Sequence, residues 1–238
     1  MIVHNKFVFA HLTKTGGTFI RQYLSDYISD AVRYSGGKRL EKHDGLNVLS
    51  KFILNGKFTF GCIRNPLSFY VSLWGANITK HAIKHRPRRK IWFKNKPEMK
   101  HEPTEFIKFL CEGETGKINY FDFDLMKKLD IGVLTYRYLC MYYDHKIFKD
   151  PKWKKNHEKY KLVKHIILVE NGLAKQLELT FRKHIFKLDT RQKKGLYKYP
   201  RKNQSKHKPF MEYYDEESLE YIKHKERFIF KLHYKEKL

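Results

Sequence analysis

"HLTKTGGTFI", residues 11–20, follows directly on the apolar run "KFVFA", residues 6–10, and this junction decides the fold. A nearly continuous apolar run of that length reads as a buried strand over Lys6 to His11. Phe19, Ile20, Tyr23, Leu24 and Tyr27 recur at helical spacing, so Thr18 to Tyr27 is expected to be an amphipathic helix. Between them, Lys14, Thr15, Gly16, Gly17 and Thr18 have the composition of an anion-binding loop. Glycines let the backbone approach an anion and turn its N–H groups inward. The helix start adds partial positive charge, and Lys14 adds a full one. The G-x-x-x-x-G-K-[ST] spacing of an ATPase loop is absent.

A second junction has the same form. "KFTFGCI", residues 57–63, reads as a strand, and "RNPLSFYVSLW", residues 64–74, follows it. Pro66 falls where a helix can begin, and residues 67–76 supply its apolar face. Arg64 then leaves the strand end with a bidentate fork, and Ser72 lies about two turns into the helix. Taken alone, an Arg paired with a carboxylate and a Ser facing solvent would be the simpler reading.

Further along, Thr104 to Leu110 and Ile131 to Tyr143 read as helices. "HIILVE", residues 165–170, reads as a third strand, with a helix from Leu173 to Phe181 after it. Residues 182–208 carry eleven Lys and Arg against one Asp, with little periodicity. Asp215 is a plausible N-cap, with Glu216 and Glu217 in the first turn of a final helix running to about Leu232. Strands followed by helices imply an α/β fold with a central parallel sheet and helices on both faces, a three-layer sandwich. In such sheets ligands bind at the carboxyl ends of the strands, where both loops fall.

At 238 residues the chain is expected to form one domain, residues 1–238. Residues 80–100 hold nine Lys and Arg against one Glu and read as a basic insertion. The net charge of +25 points to an anionic partner: nucleic acid, membrane, acidic polysaccharide or phosphorylated cofactor. Cys62, Cys111 and Cys140 are far apart, which argues against a disulfide framework or a zinc site. With no signal peptide or membrane-length apolar run in view, a soluble cytoplasmic protein is expected.

Together the two loops resemble those of the sulfotransferases that use 3′-phosphoadenosine 5′-phosphosulfate, especially Golgi-type and bacterial carbohydrate sulfotransferases. In that family a loop like "HLTKTGGTF" cradles the 5′-phosphosulfate. An R-x-P stretch with a Ser eight residues after the Arg, as in "RNPLSFYVS", binds the 3′-phosphate. "HIILVENGLAKQLEL" is similar to the family's strand–acid–helix segment, and residues 203–234 to its C-terminal loop, Tyr-Tyr-Asp cap and closing helix. The matches run from residue 6 to 234, and residues 80–160 are the poorest region. The chain departs from common members at Phe69, where many have a polar residue, and at Glu226 or Arg227, where many have Asp.

The resemblance implies that Lys14, Thr15, Gly16, Gly17, Thr18 and Phe19 hold the phosphosulfate, that Arg64 and Ser72 select the 3′-phosphate, and that Lys206 closes over the nucleotide with Asn203 and Ser205. It implies no metal. Lys14 would serve the leaving phosphate. His43 leads as the base for the acceptor hydroxyl, with Glu41 and Asp44 behind, because related members place a His in this interval. Glu170, at a strand end, is placed either to contact substrate or to anchor the fold, and the anchoring role is expected. The acceptor is expected to be a carbohydrate, gripped by the basic segments. Two other classes stay open: a nucleic-acid-binding protein with a degenerate phosphate loop, and a P-loop small-molecule kinase. No recognition-helix or RNA-binding signature supports the first, and the missing G-K-[ST] weighs against the second.

Overall fold

The apolar run before the glycine loop is a strand with no exposed surface at Phe7, Val8 or Phe9. The structure is a computed structural model that describes residues 1–34, 45–77, 104–106, 117–118, 121–200 and 208–234. Its elements in chain order are β1 (Ile2–Val3), β2 (Phe7–Phe9), α1 (Gly17–Tyr27), β3 (Val32–Arg33), α2 (Lys51–Leu54), β4 (Phe58–Ile63), α3 (Pro66–Asn77), β5 (Lys117–Ile118), β6 (Phe121–Asp122), α4 (Phe123–Leu129), α5 (Val133–Tyr142), α6 (Trp153–Tyr160), β7 (His165–Leu168), α7 (Leu173–His184), α8 (Thr190–Lys198), α9 (Glu216–Lys225) and α10 (Arg227–His233). They form two compact units, Met1–Arg64 with Arg137–Asn203, and Asn65–Tyr136 with Gln204–Leu238.

The first unit is α/β. Its sheet has the order β3-β1-β2-β4-β7. β2 pairs parallel with β4, and β4 with β7, as the three strand–helix junctions imply. The sheet is nevertheless mixed, which corrects the parallel sheet expected. "MIV" at the start of the chain pairs antiparallel with both β2 and β3. A two-residue strand carries no periodicity to read, so β1 is legible only through the pairing it completes.

Alternation along the strands sorts their side chains. Phe7 and Phe9 of β2, and Phe60 and Cys62 of β4, join Phe19, Ile20, Tyr23 and Leu24 of α1 and Leu177 and Phe181 of α7 in one core cluster. α8 also packs there through Leu196. This helix lies in the basic stretch that showed little periodicity. Its start is written in the sequence as a capping box: Asp189 accepts from the Gln192 N–H at 2.7 Å, and the Gln192 side chain accepts from the Asp189 N–H at 2.9 Å. Gln192 then donates to the Tyr27 carbonyl and accepts from the Tyr23 hydroxyl through its own carbonyl, which fastens α8 to α1.

On the other side of β4, Gly61 faces the ring of Tyr142 from α5. A Cβ at Gly61 would lie 2.3 Å from that ring. The Tyr142 hydroxyl accepts from the Cys62 N–H at 3.1 Å and donates to the Cys62 carbonyl at 3.0 Å, with the Ala10 carbonyl at 3.4 Å. The parallel ladder ends at the bond from Ala10 N–H to the Phe60 carbonyl. Its next bond would join Cys62 N–H to Ala10 C=O, and the tyrosine hydroxyl stands there instead.

In the second unit α3 is buried on nearly every side, as its unbroken apolar sequence requires. Asn65 caps it by accepting from the Leu67 N–H at 3.0 Å, and Pro66 stands at the first helical position. The expected C-terminal helix starts as read, with Asp215 accepting from Ser218 N–H at 2.8 Å, but it is two helices broken at Glu226. Glu226 has no exposed surface. Its Oε1 accepts from the Tyr70 hydroxyl (2.6 Å) and Leu134 N–H (2.9 Å), and its Oε2 from Thr135 N–H (2.8 Å) and Oγ1 (2.6 Å). Burial pushes its carboxyl up and the four donors pull it back. The carboxylate thus caps the start of α5, the end that favours negative charge. The position is a structural anchor, which accounts for an acid there.

Two substitutions test these anchors by urea unfolding. Tyr142→Phe removes only the hydroxyl and leaves the buried Cys62 N–H unpaired; a loss of about 1–3 kcal/mol is expected. Glu226→Gln keeps the volume but turns an amide N–H₂ toward donors, and a similar loss of about 1–3 kcal/mol is expected. Wild-type midpoints for either variant would refute the corresponding anchor.

Candidate anion site at the β2–α1 loop

The β2–α1 loop is held from inside. Thr15 is fully buried. Its hydroxyl donates to the Leu12 carbonyl at 2.7 Å and lies 3.3 Å from the Cys62 thiol. Burial pushes that thiol up to about 12, so it is a neutral packing group. The Thr15 hydroxyl closes the loop around the end of β4. Phe19 is likewise turned inward. Its N–H is bonded to the Gly16 carbonyl and its ring packs edge-on against Tyr199 at 5.7 Å.

The glycine pair has two separate causes. Gly16 caps α1 with φ +76°, a left-handed conformation, and a Cβ there would lie 2.5 Å from the Leu173 side chain. At Gly17 a Cβ would lie 2.0 Å from the ring of His11, which is itself buried. Lys14 also adopts a positive φ, +66°. A non-glycine residue there is uncommon and stores strain that the surrounding structure must hold in place.

What the loop leaves outward is positive. α1 has no side-chain cap and no acid in its first turn. The N–H groups of Gly17 and Thr18 therefore face the helix start with its partial positive charge. Lys14 is half-buried, and its amine is pushed down first by burial and then by Arg64, just past the end of β4. Among the described residues no acid forms an ion pair with Lys14. Two cations and a helix N-terminus thus share one place, an arrangement that favours an anion such as phosphate or sulfate.

The structure brings Lys14, Gly16, Gly17, Thr18 and Arg64 to one end of the first unit. Ser72 lies buried on α3 in the second unit. His43, Glu41, Asp44, Lys206, Asn203, Ser205 and the basic stretch 80–100 lie outside the described residues. Glu170, expected at a strand end, sits exposed on a 3₁₀ turn, Val169–Asn171, because β7 stops at Leu168. Among the described residues no group of His, Cys, Asp or Glu is arranged to hold a metal, and no helix is long and apolar enough to cross a membrane. No family model, curated protein or solved structure matches the chain.

The lowered Lys14 amine has a measurable consequence. Its neutral fraction rises at lower pH than that of an ordinary lysine near 10.4, so at pH 8–9 it is expected to acylate faster than exposed Lys51 or Lys194. A bound anion would restore its charge and suppress the reaction. Peptide mapping of the acylated protein checks both; a Lys14 rate no higher than that of surface lysines, with no protection by 3′-phosphoadenosine 5′-phosphate, would contradict the site.

Proposed function

We propose that the chain is a sulfotransferase that moves a sulfuryl group from 3′-phosphoadenosine 5′-phosphosulfate to a hydroxyl of a carbohydrate acceptor. The observation that carries it is the half-buried Lys14 beside Arg64 at the uncapped start of α1. The loop supplies charge and N–H groups for one compact anionic group, without the G-K-[ST] ending that serves a Mg²⁺-bound triphosphate. In this reading the first unit is a three-layer frame whose β2–α1 loop takes the phosphosulfate, and no metal takes part.

The residues fit the nucleotide in the following way. The N–H groups of Gly17 and Thr18, with the Thr18 hydroxyl, hold the 5′-group. Arg64 and Ser72 select the 3′-phosphate. Lys14 neutralises the charge that grows on the bridging oxygen as the sulfur–oxygen bond breaks. His43 takes the proton of the acceptor hydroxyl, with Glu41 or Asp44 as the alternative bases. Lys206 covers the nucleotide. The protein's work is positioning and charge stabilisation, as in phosphoryl transfer.

Nucleotide titrations test this first. 3′-Phosphoadenosine 5′-phosphate should bind roughly ten- to a hundredfold more tightly than adenosine 5′-phosphate, the value of one charge-assisted contact of about 1.5–3 kcal/mol. Equal affinity would remove Arg64 and Ser72 from the site, and preference for ATP would favour a kinase. In a glycan sulfation assay, Lys14→Ala should lower turnover roughly a hundred- to a thousandfold with a much smaller effect on binding of the desulfated nucleotide. Near-normal turnover would mean that this loop is not the catalytic one. His43→Ala should slow turnover about a hundred- to ten-thousandfold and spare nucleotide binding; otherwise the base passes to Glu41 or Asp44.

A further inference from the structure

The three parallel strands β2, β4 and β7 are each preceded by a lysine: Lys6, Lys57 and Lys164. These residues stand at the amino ends of the strands, whereas the β2–α1 loop leaves from a carboxyl end. Register places them together. Phe7 pairs with Phe58, and the Phe58 N–H donates to the Lys6 carbonyl at 2.9 Å. The Lys164 N–H donates to the Thr59 carbonyl at 2.9 Å. Neighbouring strands lie about 4.8 Å apart, so the row spans roughly 10 Å. Lys183 adds a fourth charge beside His165, and His165 and His184 face each other with ring centroids 5.7 Å apart.

The lysines of this row differ from others in the same unit. Lys161 pairs with Glu158 at 3.0 Å and Lys193 with Glu178 at 2.6 Å. Among the described residues no acid forms an ion pair with Lys6, Lys57, Lys164 or Lys183. Two of them are nonetheless held. Lys57 Nζ donates to the His4 carbonyl at 2.8 Å, and Lys164 Nζ donates to the Lys57 carbonyl at 2.9 Å. Lys6 Nζ lies 5.6 Å from the centre of the Phe186 ring. An ammonium that spends one donor on a carbonyl keeps two for an anion, and its ordering cost is partly met before binding. His165 is pushed down by burial and then by its neighbours His184 and Lys183. At one end the row opens into a groove of about 510 Å³, where Arg33 joins Lys57 and His4 and where, among the described residues, Asp30 is the one acid of the lining.

We infer that this row is a binding surface for an anionic polysaccharide, separate from the anion site at the opposite ends of the strands. The choice of a sugar chain rests on the proposed sulfotransferase reading; the demand for a polyanion does not. The rings also favour it over single-stranded nucleic acid, which needs open aromatic faces for its bases. Phe58 stacks on His184 at 4.6 Å and on Phe60 at 6.3 Å, and Phe186 packs edge-on against Phe181 at 5.2 Å. The faces are taken, and what remains outward is a row of point charges suited to sulfates and carboxylates.

Heparin oligosaccharide binding to the full chain tests this without any variant. Bound heparin is expected to protect Lys6, Lys164 and Lys183 from acylation more than the exposed Lys51, Lys194 and Lys198. Replacing the first three with Ala should weaken heparin binding roughly tenfold, the sum of three exposed charge contacts, and flatten its salt dependence. Replacing the second three removes the same charge and should change affinity much less. Equal losses, or equal protection, would show a response to net charge alone and overturn the surface. A single-stranded oligonucleotide of matched charge that binds more tightly than heparin would overturn the ligand class. Binding of 3′-phosphoadenosine 5′-phosphate is measured on the same samples. If heparin maps to the row while that nucleotide fails to bind, the sulfotransferase reading falls and the polyanion surface stands.

Discussion

One hydroxyl group stands at the point where the first unit opens. β2 and β4 run together up to Ala10 and Phe60 and then must part, because the chain after Ala10 turns away into the glycine loop before α1. Parting leaves the N–H and carbonyl of Cys62 facing a gap, and buried backbone groups without partners are costly. Tyr142 answers both with one atom. The solution constrains its neighbours. Gly61 can carry no side chain because the ring passes over it, and Cys62, held at the fork, presents its thiol to Thr15. The loop therefore rests on a chain of contacts from Tyr142 through Cys62 to Thr15, all of them buried and none of them charged. The loop's outer surface is left to the charged groups.

That outer surface is costly as it stands. Burying an ammonium disfavours its charged form, and a guanidinium nearby disfavours it further. Lys14 bears both, on a backbone conformation that a lysine adopts rarely. Strain of that kind persists where the surroundings over-determine it, and here they do. Gly16 is pinned between its own φ and Leu173, and Gly17 is pressed against His11. In the proposed function, a compact anion beside Lys14 and Arg64 would offset their mutual repulsion.

Much of this was legible in the sequence because it is written locally. The runs 6–10 and 57–63 announced β2 and β4, the spacing of Phe19 to Tyr27 gave α1, and Pro66 marked the start of α3. What escaped is set by partners far away in the chain. β1 and β3 are two residues each and exist through pairing. The break at Glu226 follows from the need of Leu134 and Thr135, some ninety residues earlier, for an acceptor. α8 is the exception, since Asp189 and Gln192 spelled its capping box inside a stretch dominated by lysines. For the candidate site, composition singled out Lys14, Gly16 and Arg64, but the direction of a hydroxyl is not in the composition. Thr15 and Thr18 look alike in sequence, and only burial shows that Thr15 is turned inward.

The excess of lysine resolves in the same way. A net charge of +25 says nothing about place. In the first unit some of the cations are neutralised locally: Glu158 takes Lys161, and Glu178 takes Lys193. In the second unit Asp130 gathers Lys225 and Arg227 at 2.8 Å each, which holds its carboxyl far below the usual range despite the cost of desolvation. Pairs of this kind are surface features worth little in stability. Among the described residues of the first unit, no acid forms an ion pair with Lys14 at the carboxyl ends of the parallel strands, or with Lys6, Lys57 and Lys164 at their amino ends. At the carboxyl ends, Lys14 and Arg64 are both half-buried and close enough for Arg64 to lower the Lys14 amine. At the amino ends, Lys6, Lys57 and Lys164 form an open row. A withdrawn pair selects a small anion by desolvation and geometry, whereas an open row responds to charge density along a chain. The same excess charge thus takes two forms at opposite ends of one sheet, a half-buried pair and an open row.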